Sequence, residues 1–332
     1  PKGSDTRVMR MDRAWFPAKV CRRDDKTGLW PCDELAAAPA AASVQPARTT
    51  FVAGNDKRAN EIAASLVLVT FDMPFSVAGI TERNYHGTGV IVDAERGLVV
   101  VDRNTVPVAA GDVRLTFGGS IEVPGKVEYV HPLHNLSVVS FDPQALDGTP
   151  IRAVKFDTRE LEPGEPVTVV GLGGDSRLRT LATYVATMDD VNFPLSRTLQ
   201  FRDANLEVVS LVNSPSEFDG VITGKDGRVR ALWSSFATEG ARDAVQINRG
   251  MPASVVLEAV AAARDDKPLY SLEAEFEALP IAAARKLGLP AEWVEKLEQR
   301  NPAHRQVLAV ARVAAGSGAA RVLQEGDLLL AV

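Results

Sequence analysis

Histidine is the side chain most often used as a general base near neutral pH, and this chain has only four of them. His131 and His134 lie three residues apart, and His86 stands just before Gly87. On a strand, residues i and i+3 point to opposite faces, and no cysteine or third ligand lies nearby. We therefore interpret these histidines as surface or turn residues and predict no metal site.

Two cysteines, Cys21 and Cys32, are the other residues with redox chemistry. Their separation is suited to a small disulfide loop. The alternative is two free thiols in a reducing compartment, and two cysteines do not decide between these interpretations. The pairing and the compartment of the protein both stay open at this stage.

Composition narrows the classes of partner. The chain has 332 residues, which suggests about two domains, and its 45% apolar content is enough for a sizeable core. A net charge of −6 gives no general attraction to nucleic acid or anionic membranes. No run approaches the roughly 18 apolar residues of a membrane span. We expect no nucleic-acid partner and no membrane partner.

Two further features concern cofactors and completeness. The turn Gly173-Gly174-Asp175 lacks the Lys-Ser/Thr of a phosphate-binding loop, so we interpret it as a hairpin turn and predict no cofactor.

The chain starts at Pro1 without Met and stops inside the apolar run LLLAV. We expect a fragment of a longer protein.

Most of the chain has the pattern of a β protein. The segment GTGVIVD-AERG-LVVVD is typical of a strand, a turn and a second strand. Many short strands at regular spacing indicate a sandwich or a pair of barrels. Further strands are predicted at Val113–Phe117, Ile121–Tyr129, Leu136–Phe141, Pro166–Leu172, Thr180–Met188, Thr198–Arg202, Val208–Val212, Gly220–Thr223 and Val229–Phe236.

Helical patterns flank the β region. A short helix is predicted from Asp56 to Ser65, with Ile62 and Leu66 facing inward, and an amphipathic helix at Ser254–Arg264. A second unit is predicted to contain the strand Ser271–Glu277, the helix Ile281–Leu287, a helical insertion near Glu292–Gln299 and the strand Gln306–Val313. The predicted organisation is an irregular segment with an Ala/Pro-rich linker (1–49), a β domain (50–250), a linker helix (251–267) and a small α+β unit (268–332).

Three motifs then occur along the chain, in this order: GTGVIVD through VDRNTV, HPLHNLSVVSFD, and FDGVITGKDGRVRALW. They resemble the segments that carry His, Asp and Ser in HtrA/Deg-type trypsin-like serine proteases, and residues 271–332 resemble the PDZ domain that follows. The resemblance implies a mainly β fold, a chymotrypsin/trypsin-like double β-barrel followed by a partial α+β PDZ domain, truncated at its C-terminus. The opening RVMRMDRAWFP, the cysteine pair and the insertion LPAEWVEKLEQRNPAHRQVL resemble the second, degenerate half of double-length members.

All three catalytic positions of the family are substituted in this chain. The family's His falls on Asn104, its Asp on Asn135 and its Ser on Phe218. An amide does not accept a proton near neutral pH, Asn135 carries no charge to orient an imidazolium, and Phe218 has no nucleophile. Glu217 and Asp219 replace the glycines around the nucleophile, and their charges disfavour an oxyanion.

An alternative alignment matches Asn213-Ser214 to the family's Asn-Ser pair, which makes Ser214 the nucleophile. Pro215 and Ser216 then replace two glycines, and Asn104 still supplies no base. An active serine endopeptidase with Ser214 or Ser216 and an unusual base therefore stays open as a rival hypothesis.

The PDZ resemblance implies binding of an extended peptide by strand addition. Tyr270, Ser271 and Leu272 are the nearest match to the loop that receives the peptide carboxylate, with its glycine replaced. The alternative is a blocked or self-filled groove. Phe51, Val52 and the segment from Phe71 to Phe75 are interpreted as core packing in preference to an oligomer contact.

These observations together predict a catalytically degenerate HtrA-type module within a larger serine endopeptidase, with scaffold, oligomerisation, peptide-binding or regulatory roles. The expected partners are unfolded or C-terminal peptide segments and, through the parent protein, further copies of the chain. A purely structural spacer that binds no peptide is the other alternative.

Overall fold

The computed structural model describes residues 6–8, 19–22, 24, 26–27, 32–34, 46–51, 56–73, 84–191, 193, 203–239, 244–265, 267, 270–300, 302 and 304–331. The chain divides into two compact units, Pro1–Ala47 and Arg48–Val332. Most of the linker predicted before residue 48, and the whole strand predicted at Thr198–Arg202, lie outside the described residues.

The first unit contains a three-stranded antiparallel sheet of β1 (Thr6–Val8), β2 (Lys19–Arg22) and β3 (Cys32–Glu34). The register of β2 against β3 sets Cys21 opposite Cys32. Opposite residues in antiparallel strands have Cα atoms about 4.5–5.5 Å apart, which lies inside the range that a disulfide spans. The backbone is thus compatible with the disulfide, which stays a prediction.

The second unit begins with α1 (Lys57–Ala63) and a closed barrel of six antiparallel strands in the order β4-β5-β6-β9-β8-β7. Alternation of buried and less buried residues along the strands points one face of each into the barrel, as in Val113, Leu115 and Phe117. Phe71 is fully buried in this core, which confirms its interpretation as core packing. The strands are β4 (Leu66–Asp72), β5 (Asn84–Asp93), β6 (Leu98–Val101), β7 (Asp112–Phe117), β8 (Ile121–Val130) and β9 (Ser137–Phe141).

A second closed barrel of six strands follows, in the order β10-β11-β12-β15-β14-β13. Its core is built around the fully buried Trp233, whose indole N–H donates to the Pro215 carbonyl at 3.1 Å. The strands are β10 (Pro166–Leu172), β11 (Leu178–Asp190), β12 (Glu207–Leu211), β13 (Asp219–Thr223), β14 (Val229–Glu239) and β15 (Ala244–Pro252).

The chain leaves the second barrel through α2 (Ala253–Asp265) and enters a smaller α+β region. Its sheet has the order β16-β17-β18 and is covered by an apolar cluster that includes Ile281, Val294 and Val307. The elements are β16 (Ala274–Pro280), α3 (Ile281–Ala284), a 3-10 turn at Arg285–Leu287, α4 (Ala291–Arg300), β17 (Gln306–Val313) and β18 (Leu328–Leu329). No helix in the described part of the chain is long and apolar enough to cross a membrane.

Two expectations about local structure were wrong. Leu66 is the first residue of β4 and does not belong to the preceding helix, which ends at Ala63. The strand predicted at Ser271–Glu277 begins three residues later, at Ala274. The reason is a tight turn in which the Ser271 hydroxyl accepts from the Glu273 amide at 3.0 Å, while Glu273 adopts a φ of 55° that a strand does not allow.

Candidate functional site

Asn104 and Asn135 come together around one residue of the second barrel, Ser235 on β14. Asn104 follows β6, and its Nδ2 donates to the Ser235 hydroxyl at 2.9 Å. Asn135 precedes β9, and its Nδ2 donates to the Ser235 carbonyl oxygen at 2.7 Å. The Asn135 Oδ1 also accepts from the Arg103 backbone N–H at 3.0 Å. Both amides are thus used as hydrogen-bonding bridges between the two barrels.

Phe218 is the residue directly before β13. Its ring is half-buried and packs against the core of the second barrel. Gly171 of β10 stands against this point, because a Cβ there would lie 2.8 Å from Phe218 Cδ2 and would overlap the Asp219 carbonyl. The Phe218 ring therefore fills the space beside Gly171 where β13 begins.

Two carboxylates, Asp102 and Asp219, lie close to these residues. Asp102 is 3% exposed, and its Oδ2 accepts from the Ser235 amide at 3.1 Å and from the Ser235 hydroxyl at 3.3 Å. Its Oδ1 accepts from the Thr105 amide at 2.7 Å. Burial raises the pKa of Asp102 above its ordinary value, and these hydrogen bonds oppose that shift.

Asp219 brings the second acid to the same place from β13. Its carboxylate accepts from Asn248 Nδ2 at 3.0 Å, and a Cβ at Gly87 would clash with Thr105 and lie 3.2 Å from an Asp219 oxygen. Burial raises the pKa of Asp219 well above its ordinary value, and the neighbouring Asp102 carboxylate raises it further. Two acids that share an enclosed space resist double ionisation, so this pair disfavours any further negative charge here.

A second polar cluster joins the barrels on the other side of Asn135. The Asn135 backbone N–H donates to Asp203 at 3.0 Å, and the His134 Nδ1 lies 3.4 Å from the same carboxylate. The His131 ring stacks on His134 with centroids 4.9 Å apart. Burial, with help from the charges of His134 and Arg103, lowers the pKa of His131 to about 4.

Of the two alternatives predicted for His131, surface or turn, the structure shows the turn, because the residue is only 2% exposed. Its Nδ1 accepts from the backbone N–H groups of Leu133 and His134, at 3.1 and 2.9 Å. These contacts fold the segment back on itself, which is why residues i and i+3 meet here although they would diverge on a strand. His86 is exposed on β5. Among the described residues, no group of three or more His, Cys, Asp or Glu is arranged to hold a metal ion.

Ser214 and Ser216 lie on the segment between β12 and β13, and both are exposed. In the described residues, no hydrogen bond joins either serine to a histidine or to the amides of Asn104 and Asn135. A serine needs an adjacent base to become a nucleophile, and among the described residues no such hydrogen bond is present at these two.

The residues predicted for peptide binding lie just before β16. Tyr270 is 85% exposed and Leu272 is 68% exposed, and Ser271 forms the turn described above. Beside them, the side chain of Asn205 reaches the edge of β16. Its Nδ2 donates to the Ala274 carbonyl oxygen at 2.7 Å, and its Oδ1 accepts from the Phe276 N–H at 2.7 Å.

Three relatives match this chain over nearly its whole length. The PDZ domain-containing protein C23G3.12c of Schizosaccharomyces pombe is 31% identical over 335 residues. The pro-apoptotic serine protease nma111 of Aspergillus oryzae is 31% identical over 341 residues, and its namesake in Phaeosphaeria nodorum is 32% identical over 338. Each match covers 98% of this chain and 33% of the relative, so the chain spans about one third of the length of these curated relatives.

A scan against protein-family models gave no match. Among solved structures, the HtrA-type protease AlgW with a tripeptide aligns with a TM-score of 0.54 and 16% identity, over 82% of this chain and 80% of AlgW. At this identity the likeness shows the fold. Over this span the chain is related to these pro-apoptotic serine proteases, and its fold is that of an HtrA-type protease. The predicted double-barrel fold of this HtrA-type chain is confirmed.

Sequence reasoning named the three motif positions of the HtrA-type chain but missed the residues that connect them. Ser235 is separated from Asn104 by 131 positions, and Asp102 and Asp219 come from different barrels. Asp102 had one local signal, since it stands two residues before the His position in VDRNTV. Asn205 had no such signal, because a single Asn in a loop does not predict a contact with a strand 69 residues away.

Proposed function

We propose that this chain is a proteolytically silent module of a larger HtrA-type serine endopeptidase, and that it serves peptide recognition, assembly or regulation. The observation that carries the proposal is the bonding of Asn104 and Asn135 to Ser235, with Phe218 at the head of β13. Each group occupies its position as a structural contact, and none of the three can act as base, orienting carboxylate or nucleophile.

The electrostatics around β13 support the same proposal. Peptide hydrolysis by a serine nucleophile passes through an oxyanion that needs hydrogen-bond donors and no adjacent negative charge. Asp219 stands directly after Phe218, and its pKa is raised by burial and by Asp102. Because this site already disfavours the charged form of Asp219, it would also destabilise a developing oxyanion.

The peptide-recognition part of the proposal rests on the C-terminal sheet. An edge strand preceded by exposed apolar residues is the arrangement that binds an extended peptide by strand addition. In this chain β16 is the edge, and Tyr270 and Leu272 are the exposed residues. A spacer would bind no peptide, so saturable binding of C-terminal peptides separates the two hypotheses.

A fluorophosphonate probe tests the catalytic part directly, because it labels serines that an adjacent base has activated. We expect no labelling of the 332-residue chain under conditions in which an intact HtrA-type protease is labelled to completion. Ser214→Ala and Ser216→Ala serve as matched variants. Labelling that disappears in either variant would establish the rival hypothesis of an active endopeptidase with a rearranged site.

A further inference from the structure

The edge of β16 is occupied by a side chain that imitates a peptide unit. In the described part of the sheet, β16 has a neighbouring strand on one side only, β17. On its other side the amide of Asn205 donates to the Ala274 carbonyl and accepts from the Phe276 N–H, both at 2.7 Å. A carboxamide has the same donor and acceptor as a backbone peptide group.

The two backbone groups held by Asn205 are those that an added strand requires. A strand edge presents unpaired N–H and C=O groups in register, and an incoming peptide gains most of its affinity by bonding them. Ala274 O and Phe276 N point away from β17 and toward Asn205. A peptide that adds to this edge must therefore displace the Asn205 amide or leave both groups to it.

The surroundings of this contact are suited to a ligand. Tyr270 and Leu272, on the segment that leads into β16, expose 85% and 68% of their surface. Large apolar side chains exposed beside a strand edge are the kind of surface that a peptide ligand covers.

The residues on both sides of Asn205 are fixed by hydrogen bonds. Its φ is 55°, in the left-handed region, and it stands between two fixed neighbours. Asp203 accepts from the Asn135 backbone at 3.0 Å, and the Leu206 carbonyl accepts from Val191 at 2.8 Å. The short arm from Asp203 to Leu206 thus connects the edge of β16 to the position of the family's catalytic Asp.

We propose that Asn205 is an autoinhibitory plug, whose amide closes the edge of β16 against an extended peptide until the peptide displaces it. The inference rests on the proposed role of this sheet in peptide recognition.

Asn205→Gly is the variant of choice for a test. Glycine adopts a φ of 55° without strain, so the backbone of the arm keeps its conformation while the amide is removed. Asn205→Asp is the second variant, because aspartate tolerates the same backbone and still accepts from Phe276 but no longer donates to Ala274. Asn84→Ala, which removes an exposed amide from the first barrel, is the matched control.

The measurement is the binding of fluorescein-labelled decapeptides with three apolar residues and a free carboxylate at the C-terminus. Losing the plug removes two hydrogen bonds that compete with the peptide, so we expect Asn205→Gly to bind about fivefold more tightly than the unaltered chain. Asn205→Asp is expected to lie between them, and Asn84→Ala to match the unaltered chain.

Hydrogen exchange gives a readout that needs no peptide. The Phe276 amide is expected to exchange faster in Asn205→Gly, and unchanged exchange would overturn the proposal. Equal peptide affinity in Asn205→Gly and the unaltered chain, or no binding by either, would also overturn it. Neither result bears on proteolytic silence, which the fluorophosphonate assay tests independently.

Discussion

Asn104 and Asn135 illustrate what an amide can replace and what it cannot. Each donates to Ser235, and Asn135 also accepts from Arg103, so the hydrogen bonds that close the barrel interface are intact. The amides carry no charge and take up no proton at ordinary pH. At these two residues the side chains therefore provide hydrogen bonds between the barrels and no acid–base group.

Asp219 provides a prediction for stability at neutral and alkaline pH. Burial and the Asp102 charge raise its pKa in the folded state, so its contribution to stability is full below about pH 4 and is lost as pH rises through the folded-state value. An asparagine in its place would still accept from Asn248 and would carry no charge. We expect Asp219→Asn to raise the free energy of unfolding by roughly 1–3 kcal/mol at pH 8.

The measurement is urea unfolding of both proteins at a series of pH values from about pH 4 to pH 8. The difference between them should shrink toward zero at the acid end. Glu217→Gln is the control, since Glu217 is exposed two positions earlier and should have no such effect. A loss of stability at the alkaline end in Asp219→Asn would contradict the account of this carboxylate.

His131 provides the opposite prediction for acid. Its folded-state pKa of about 4 lies below the ordinary value, so its contribution is present above about pH 6.5 and is lost as pH falls toward 4. Asparagine keeps an acceptor for the two backbone N–H groups and does not titrate. We expect the unaltered chain to lose roughly 2–3 kcal/mol more than His131→Asn between about pH 6.5 and 4. Parallel pH profiles in urea unfolding would refute this.

At the scale of elements, the close approach of β10 and β13 fixes the position of the start of β13, next to Phe218. Gly171 pairs with Gly220, and the space for a side chain at Gly171 is taken by the Asp219 carbonyl. The backbone carbonyl of Asp219 cannot move aside as a flexible side chain can, so the pairing of β10 with β13 requires glycine at position 171.

Gly171→Ala is therefore expected to lower the free energy of unfolding by about 2–4 kcal/mol, because the added methyl group forces the two strands apart. Thermal unfolding followed by circular dichroism is the measurement. Gly224→Ala is the matched control, since its nearest contact would be a flexible Asp226 carboxylate at 3.1 Å. Equal melting temperatures for the two variants would show that β10 and β13 are not so closely packed.

The elements also show where sequence reasoning reaches its limit. Strands at Pro166–Leu172 and Gln306–Val313 were predicted with the bounds that the structure has. The strand Leu66–Asp72 was missed, because an unbroken apolar run after a helix has no period of its own. The contacts of Ser235 and Asn205 depend on how distant elements close on one another, and no local pattern encodes them.

At the scale of the whole molecule, the double barrel is stabilised independently of the polar residues at its interface. Two closed barrels each have their own apolar core, so their stability does not depend on a working triad. Between them lies an apolar cluster that includes Val138 of the first barrel and Val208 of the second, together with the polar bridges through Asn104, Asn135 and Asp203. The fold is therefore expected to stay stable whether or not the interface carries out catalysis.

The central claim is that this chain does not itself cut peptides, and casein cleavage with and without a serine-protease inhibitor tests it most directly. Loss of triad residues lowers turnover by as much as roughly 10⁶-fold in a serine protease. The account predicts no cleavage above the buffer rate for the 332-residue chain, with an intact HtrA-type protease as positive control. Cleavage that the inhibitor abolishes would contradict it and would place an active serine and base elsewhere in the chain.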